Sequence, residues 1–255
     1  MKYEIKEVDH YKFIETGGCG ENLLLLHGLF GALSNFETII DAFVEEYNIV
    51  APILPIFYLP IRKVSLEGLV NHVHDFVQHR QYDEINVLGN SLGGHIALLF
   101  ALANPEKIKS IILTGSSGLF ETAFGSSFPK RGDYDFIKKR TEETFFHPEV
   151  ATKELVDEVF DIVNDRNKAI RIVATAKSAI RHNLKDKLHN LKAPTLLVWG
   201  KQDQITPAFV GEKFNELIDD SRLILIDECG HAPMMEHPKM FNGHLKQFLE
   251  ALNMR

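Results

Sequence analysis

Cysteine is scarce in this sequence: Cys19 and Cys229 are the two among 255 residues, and they lie far apart. Two cysteines leave a single bridge open but make no disulfide framework, so the fold must rest on a hydrophobic core. Long apolar runs are also missing. The longest, Ile96 to Ala103, falls far short of the roughly 18 residues that a membrane span needs. The stretch from Met1 to His10 mixes Lys2, Glu4, Lys6 and Glu7 with scattered apolar residues and has no signal-peptide core. Nor is there an excess of positive charge. The 28 lysines and arginines face 35 aspartates and glutamates, a net charge of −7, which argues against a nucleic-acid backbone or an anionic lipid as partner. No H-E-x-x-H spacing occurs, so a zinc protease is unsupported. These absences are expected of a cytoplasmic protein whose partner is neither a nucleic acid nor a membrane. Oligomeric state is not legible at this level.

The composition that remains is that of a globular enzyme-sized chain, 45% apolar and 25% charged, long enough to bury one substantial core. Leu23-Leu24-Leu25-Leu26 is a short unbroken apolar run, as expected of a strand covered on both faces. Similar runs recur at Ile49-Val50-Ala51, Ile85-Asn86-Val87-Leu88, Ile111-Ile112-Leu113, Thr195-Leu196-Leu197-Val198-Trp199 and Leu223-Ile224-Leu225-Ile226. The opening stretch Tyr3 to Thr16 has β-like character and ends at the Gly17-Gly18-Cys19-Gly20 turn. Helical spacing fills the gaps, at Leu66, Leu69, Val73 and Phe76 and again at Phe241, Leu245, Phe248 and Leu252. Ser34-Asn35-Phe36-Glu37 has the form of a capping box opening a helix through Val44, and Thr206-Pro207 that of a cap followed by proline at the first helical position. Strands alternating with helices predict an α/β fold with a mostly parallel sheet and helices on both faces. Residues 117–191 break the alternation. They carry helical patterns, among them Thr152 to Val163 and Asn167 to Ile180, but no convincing strand. Such an insert is expected to cap the ligand-binding edge of a core formed by residues 1–116 and 192–255.

The sharpest local signal is Gly89-Asn90-Ser91-Leu92-Gly93-Gly94, between a strand and a helical run. A serine in a G-x-S-x-G turn at that junction is forced into a sharp bend, with small residues needed on either side. The bend raises its hydroxyl beside a helix amino terminus, where N–H groups favour developing negative charge. The alternative is a glycine-rich β–α turn with a capping serine. A serine needs a base, and His231, in Cys229-Gly230-His231 just past the last strand, is the best placed of the twelve histidines. The imidazole needs a carboxylate to fix its tautomer. Asp203, in Gly200-Lys201-Gln202-Asp203, supplies the order Ser, Asp, His. Asp227 is the rival, though its position at a strand end suits a local turn better. His27-Gly28-Leu29-Phe30-Gly31 follows the first buried strand, and the N–H groups of Leu29 and Leu92 are expected to form an oxyanion hole, with Phe30 the next candidate for the first donor. Cys229 sits close to the base but on no elbow of its own, and is expected to be a small core side chain.

With H-G-x-x-G, G-x-S-x-G-G, G-x-x-D and G-H in order, the chain resembles the α/β-hydrolase superfamily over nearly its whole length. That resemblance implies a helical cap at the strandless insert and chemistry without a metal or organic cofactor. Gly89 to Gly94, Leu197-Val198-Trp199-Gly200 and Cys229-Gly230-His231 look like the meta-cleavage-product C–C hydrolases. Those enzymes usually carry tryptophan where this chain has Ala232, and a D-x-P-G-x-G-type loop where it has Pro52 to Pro60. The His27 to Gly31 loop looks like that of small intracellular esterases and thioesterases. Serine at position 91 sets the chain apart from haloalkane dehalogenases and epoxide hydrolases, which use aspartate there. The expected activity is hydrolysis of a carboxylic ester through an acyl-enzyme. Thioester hydrolysis, C–C hydrolysis and perhydrolase activity are alternatives at the same triad, and a non-catalytic ligand receptor is an alternative of another class. The apolar Ile56-Phe57-Tyr58-Leu59 stretch is expected to line the substrate pocket together with the cap.

Overall fold

Leu23 to Leu26 alternate between two cores: Leu24 and Leu26 face one, Leu23 and Leu25 the other, and all four are fully buried. That is the signature of a strand sandwiched between helical layers. The computed structural model describes residues 2–30, 33–120 and 131–254. Its strands are β1 (Lys6–Val8), β2 (Tyr11–Glu15), β3 (Asn22–Leu26), β4 (Asn48–Pro52), β5 (Ile85–Asn90), β6 (Ile108–Thr114), β7 (Thr195–Gly200) and β8 (Ser221–Ile226). They form one sheet in the order β1-β2-β4-β3-β5-β6-β7-β8. From β4 to β8 every pairing is parallel, while β1 and β2 add an antiparallel edge.

The helices are α1 (Glu37–Phe43), α2 (Leu66–His79), α3 (Leu92–Ala103), α4 (Tyr134–Glu142), α5 (Lys153–Asn164), α6 (Arg166–Arg181), α7 (Ala208–Leu217), α8 (Pro233–Glu236) and α9 (Pro238–Leu252). Side chains of α2, α3 and α7 enter one core, with Phe76, Phe100 and Phe214 fully buried. Those of α1 and α9 enter the other, through Phe43, Phe241 and Leu245. No helix among the described residues is long and apolar enough to cross a membrane.

Two local expectations are corrected. The supposed capping box is a 3-10 turn, Leu33–Phe36, and α1 begins at Glu37 without a side-chain cap. Leu33 and Phe36 are both buried, and the three-residue period of a 3-10 turn brings them to one side, which leaves Ser34 facing solvent. Thr206 likewise does not cap α7. Pro207 precedes the helix as its N-cap, and the threonine hydroxyl is engaged elsewhere.

Sheet order positions the site. The chain crosses from β4 over β3 to β5, so β3 and β5 are neighbours with Leu26 opposite Gly89. Their carboxyl ends, where the direction of winding reverses, lie side by side at the switch point where open α/β sheets bind ligands. Between β6 and β7 the chain forms α4, α5 and α6, with no strand among the described residues; residues 121–130 of that expected cap lie outside them. Capping is local in each helix, by Asp133, Thr152 and Asp165. The far end of this segment is tied to the core by Ser178, whose hydroxyl accepts from Leu66 N–H at 3.0 Å, and by His182 against Glu67 at 2.9 Å. Buried His95 of α3 adds a bond to the His182 carbonyl at 2.9 Å, and burial pushes its imidazole down to about 4.

Candidate active site

Ser91 stands between β5 and α3 with φ 54° and ψ −119°, a conformation that side chains with a Cβ rarely adopt. Three things hold it there. The Ser91 N–H donates to the Thr114 carbonyl at 3.1 Å, and the Ser91 carbonyl accepts from Gly94, His95 and Ser117 N–H groups. The turn is also too crowded for side chains: a Cβ on Gly93 would lie 1.9 Å from the Leu26 carbonyl oxygen. Because Leu92 opens α3, its N–H has no partner a turn earlier within the helix, and the residue borders the same cavity as Ser91.

The β3 exit is set by His27, which is buried and neutral, burial having pushed its imidazole down. Its two nitrogens bond the Gly28 carbonyl at 2.8 Å and the Leu54 N–H at 3.0 Å. Nε2 must accept from that N–H, so Nδ1–H is the donor to Gly28. The Gly28 carbonyl and the Leu29 N–H belong to one planar peptide and point in opposite directions. Holding the carbonyl on the histidine therefore fixes the direction of the Leu29 N–H.

Asp203 lies on the loop leaving β7, and His231 on the loop leaving β8. The two loops are laced together by Gln202, whose N–H donates to the Cys229 carbonyl and whose side-chain oxygen accepts from Cys229 N–H. Asp203 Oδ2 accepts from His231 Nδ1 at 2.9 Å, with both side chains almost wholly buried. The remaining lone pairs of the carboxylate take the Thr206 hydroxyl at 2.9 Å and the N–H groups of Ile205 and Thr206 at 2.8 and 2.9 Å. Buried Trp199 donates its indole N–H to the Thr206 carbonyl and steadies this loop. Gly115, at the β6 exit with φ 52°, lies beneath the imidazole: a Cβ there would be 2.8 Å from His231 Nδ1.

Asp227 is elsewhere. It is exposed and bonded to Lys201 at 3.3 Å and Gln202 at 2.9 Å, and these partners, Gln202 first, hold its carboxyl below the usual range. Cys229 is fully buried, and burial followed by the charge of Glu236 and Asp203 pushes its thiol well above the ordinary cysteine range. A thiol so held stays protonated. Cys229→Ala is expected to keep more than half of the wild-type kcat, measured on any substrate that the wild type turns over. Cys19 is exposed and, like Cys229, free, so no bridge joins the two.

Ser91, Leu29, Leu92, Thr206 and His231 meet on one cavity of about 460 Å³. Its walls are largely apolar, with Phe136, Phe145, Leu155, Val159, Val163 and Ile180 from the segment between β6 and β7. The 56–59 stretch does not line it. Ile56 is buried in the core, Tyr58 is three-quarters exposed, and Phe57 lies under the Lys168 ammonium of α6. Asn90, which the motif leaves unspecified, makes contacts at the site that sequence reasoning missed. Its amide donates to the Thr114 and His231 carbonyls, at 3.0 and 3.3 Å, and bolts the elbow to the histidine loop.

Comparison with known proteins places the fold. Residues 21–238 match the family model described as alpha/beta hydrolase fold. A solved α/β hydrolase enzyme from a metagenome of lagoon sediments at Mar Chica, Morocco, is 38% identical, with a TM-score of 0.81 over 98% of this chain and 99% of its own. A 2-hydroxy-6-oxo-6-(2'-aminophenyl)hexa-2,4-dienoic acid hydrolase of Metapseudomonas resinovorans is 29% identical over 93% of this chain and 87% of its own. Lipase 3 of a Moraxella species is 26% identical over 91% of this chain and 78% of its own. The chain belongs to the α/β-hydrolase-fold family, and its class is that of a hydrolase.

Proposed function

We propose that this protein hydrolyses neutral carboxylic esters with an apolar acyl group, through an acyl-enzyme on Ser91. The observation that carries the reading is the buried Asp203–His231 bond of 2.9 Å on the same apolar cavity as a serine at a strained elbow. Ser91 Oγ attacks the ester carbonyl while His231 Nε2 takes its proton, and Asp203 holds Nδ1–H and stabilises the imidazolium. The Leu29 and Leu92 N–H groups receive the oxyanion. Collapse of the tetrahedral intermediate expels the alcohol, which takes the proton from His231. Water, deprotonated by the same imidazole, then attacks the acyl-enzyme and releases the acid. The steps call on no metal or organic cofactor.

A contrast in charge supports a neutral substrate. The relative from Metapseudomonas is named for a dienoic acid, which carries a carboxylate. Here the guanidinium on the cavity wall, Arg140, is already bonded to Glu143 at 2.8 Å. The volume also falls within the range usual for small-molecule sites, roughly 300–1,000 Å³.

The test is a series of p-nitrophenyl esters from acetate to hexanoate, beside a dienoic acid of the C–C type. Burial of each added methylene, worth about 0.8 kcal/mol, raises kcat/KM by up to about fourfold. Faster turnover of the dienoic acid than of every ester would replace this reading by C–C hydrolysis. The segment between β6 and β7 acts as the cap that sets this preference. Val159→Phe, which narrows the cavity, is expected to lower hexanoate turnover on the order of tenfold while changing acetate turnover less than about twofold. Equal losses on both esters would remove the cap from substrate selection.

A further inference from the structure

Glu236 is the last residue of α8, five positions beyond His231, and its carboxylate faces backbone on two sides. Oε1 accepts from the Gly230 N–H at 2.7 Å. Oε2 accepts from the Phe146 N–H at 2.7 Å and the His147 N–H at 3.2 Å. The first donor belongs to the loop that carries His231. The other two belong to the chain just after α4, at the root of the cap. One carboxylate thus closes three backbone donors from two segments distant in the sequence.

The same two segments touch directly. His231 N–H donates to the Thr144 carbonyl at 2.9 Å. Gly230 is pressed so closely that a Cβ would lie 2.6 Å from the Thr144 carbonyl oxygen and 2.9 Å from Phe146 N. Thr144 and Phe145 in turn line the cavity. The backbone of the histidine loop is therefore laid against the cap root, and Glu236 is the side chain that fastens the two.

We propose that Glu236 is a positioning residue, which sets the location of the His231 imidazole by bridging Gly230 to Phe146 and His147. The proposal rests on the reading of His231 as general base. A carboxylate suits the place, because both of its oxygens accept. Glutamine is the same size but would turn an NH₂ towards one of the two sets of donors. Aspartate keeps the charge but is one methylene too short to span both. A bridge that acts on the base affects every substrate alike, whereas one that merely steadies the cap would affect large esters alone.

The test compares Glu236→Gln and Glu236→Asp with the wild type on p-nitrophenyl acetate and hexanoate, well below the unfolding midpoint. Active sites are counted by stoichiometric fluorophosphonate labelling of Ser91, so that unfolded molecules drop out of the rate. Both variants are expected to reach full labelling slowly, and to lose kcat on the order of 10- to 100-fold per labelled site on both esters, as for displacement of a reacting group by about an ångström. KM should change less than about threefold. Wild-type kcat per site in Glu236→Gln overturns the proposal. So does restoration of the rate by aspartate, which would make charge rather than bridging the operative property. Loss confined to hexanoate also overturns it. Failure of the wild type itself to label at Ser91 would sink the esterase reading instead, a result separate from all of these.

Discussion

Ser91→Ala is expected to abolish ester hydrolysis, lowering kcat by on the order of 10⁶, the loss typical when the nucleophile of a serine triad is removed. Binding should survive, because the apolar cavity is untouched, so a slowly cleaved ester should still act as a competitive ligand. The elbow adds a stability signature. Alanine keeps the Cβ that makes φ 54° and ψ −119° unfavourable, so Ser91→Ala should melt within a degree or two of the wild type. Ser91→Gly removes that Cβ and releases strain of about 1–3 kcal/mol. For a chain of this size each kcal/mol is worth about 2–4 °C, so the glycine variant should be the more heat-resistant of the two and equally inactive. Thermal unfolding and ester assays on the same preparations check both statements. Turnover near the wild-type level in either variant would remove Ser91 as nucleophile.

The second large effect separates two aspartates. Asp203→Asn should cost on the order of 10⁴ in kcat. An amide cannot accept equally on both sides, yet Asp203 receives His231 Nδ1–H, the Thr206 hydroxyl and two backbone N–H groups. The substitution either turns an NH₂ against these donors or forces the imidazole into the wrong tautomer, with no proton acceptor facing the serine. Asp227→Asn should change kcat less than about threefold, since that carboxylate faces solvent, Lys201 and Gln202. An inversion of the two effects in steady-state kinetics would reassign the acid while leaving the family untouched.

The buried strands were legible because each carries a run of three to five mostly apolar residues with no helical period, and Leu23 to Leu26 illustrates why: a strand covered on both faces places successive residues in two apolar cores. The elbow was legible because its glycines answer a steric demand that no other residue meets. What escaped were contacts made by residue types with several uses. Thr206 before a proline has the pattern of a helix cap, but the carboxylate of Asp203, three positions back, competes for its hydroxyl and wins. Ser34 and Glu37 match a capping box in sequence, yet burial of Leu33 and Phe36 decides the geometry. Ile56 to Leu59 has the composition of a pocket wall, yet its side chains go to the core, to solvent and to the Lys168 ammonium of α6, a difference that depends on which way a loop turns. Glu236 and Asn90 bridge segments distant in the chain, and no local pattern marks such a bridge.

Gly115 bears on how this sequence can change over time. It touches no substrate in the proposed reaction and contributes no functional group, yet its bare α-carbon and φ of 52° leave the imidazole of His231 its place. Even alanine would set a methyl 2.8 Å from Nδ1, where either the ring or the β6 exit must move. In a library of all single substitutions selected for turnover, position 115 should therefore tolerate as little as the proposed triad. The apolar wall around Val159 and Val163 should accept many replacements, each one altering which esters are favoured. Drift in this protein is thus channelled: the chemistry is held by a residue without a side chain, while the substrate range is free to wander above it.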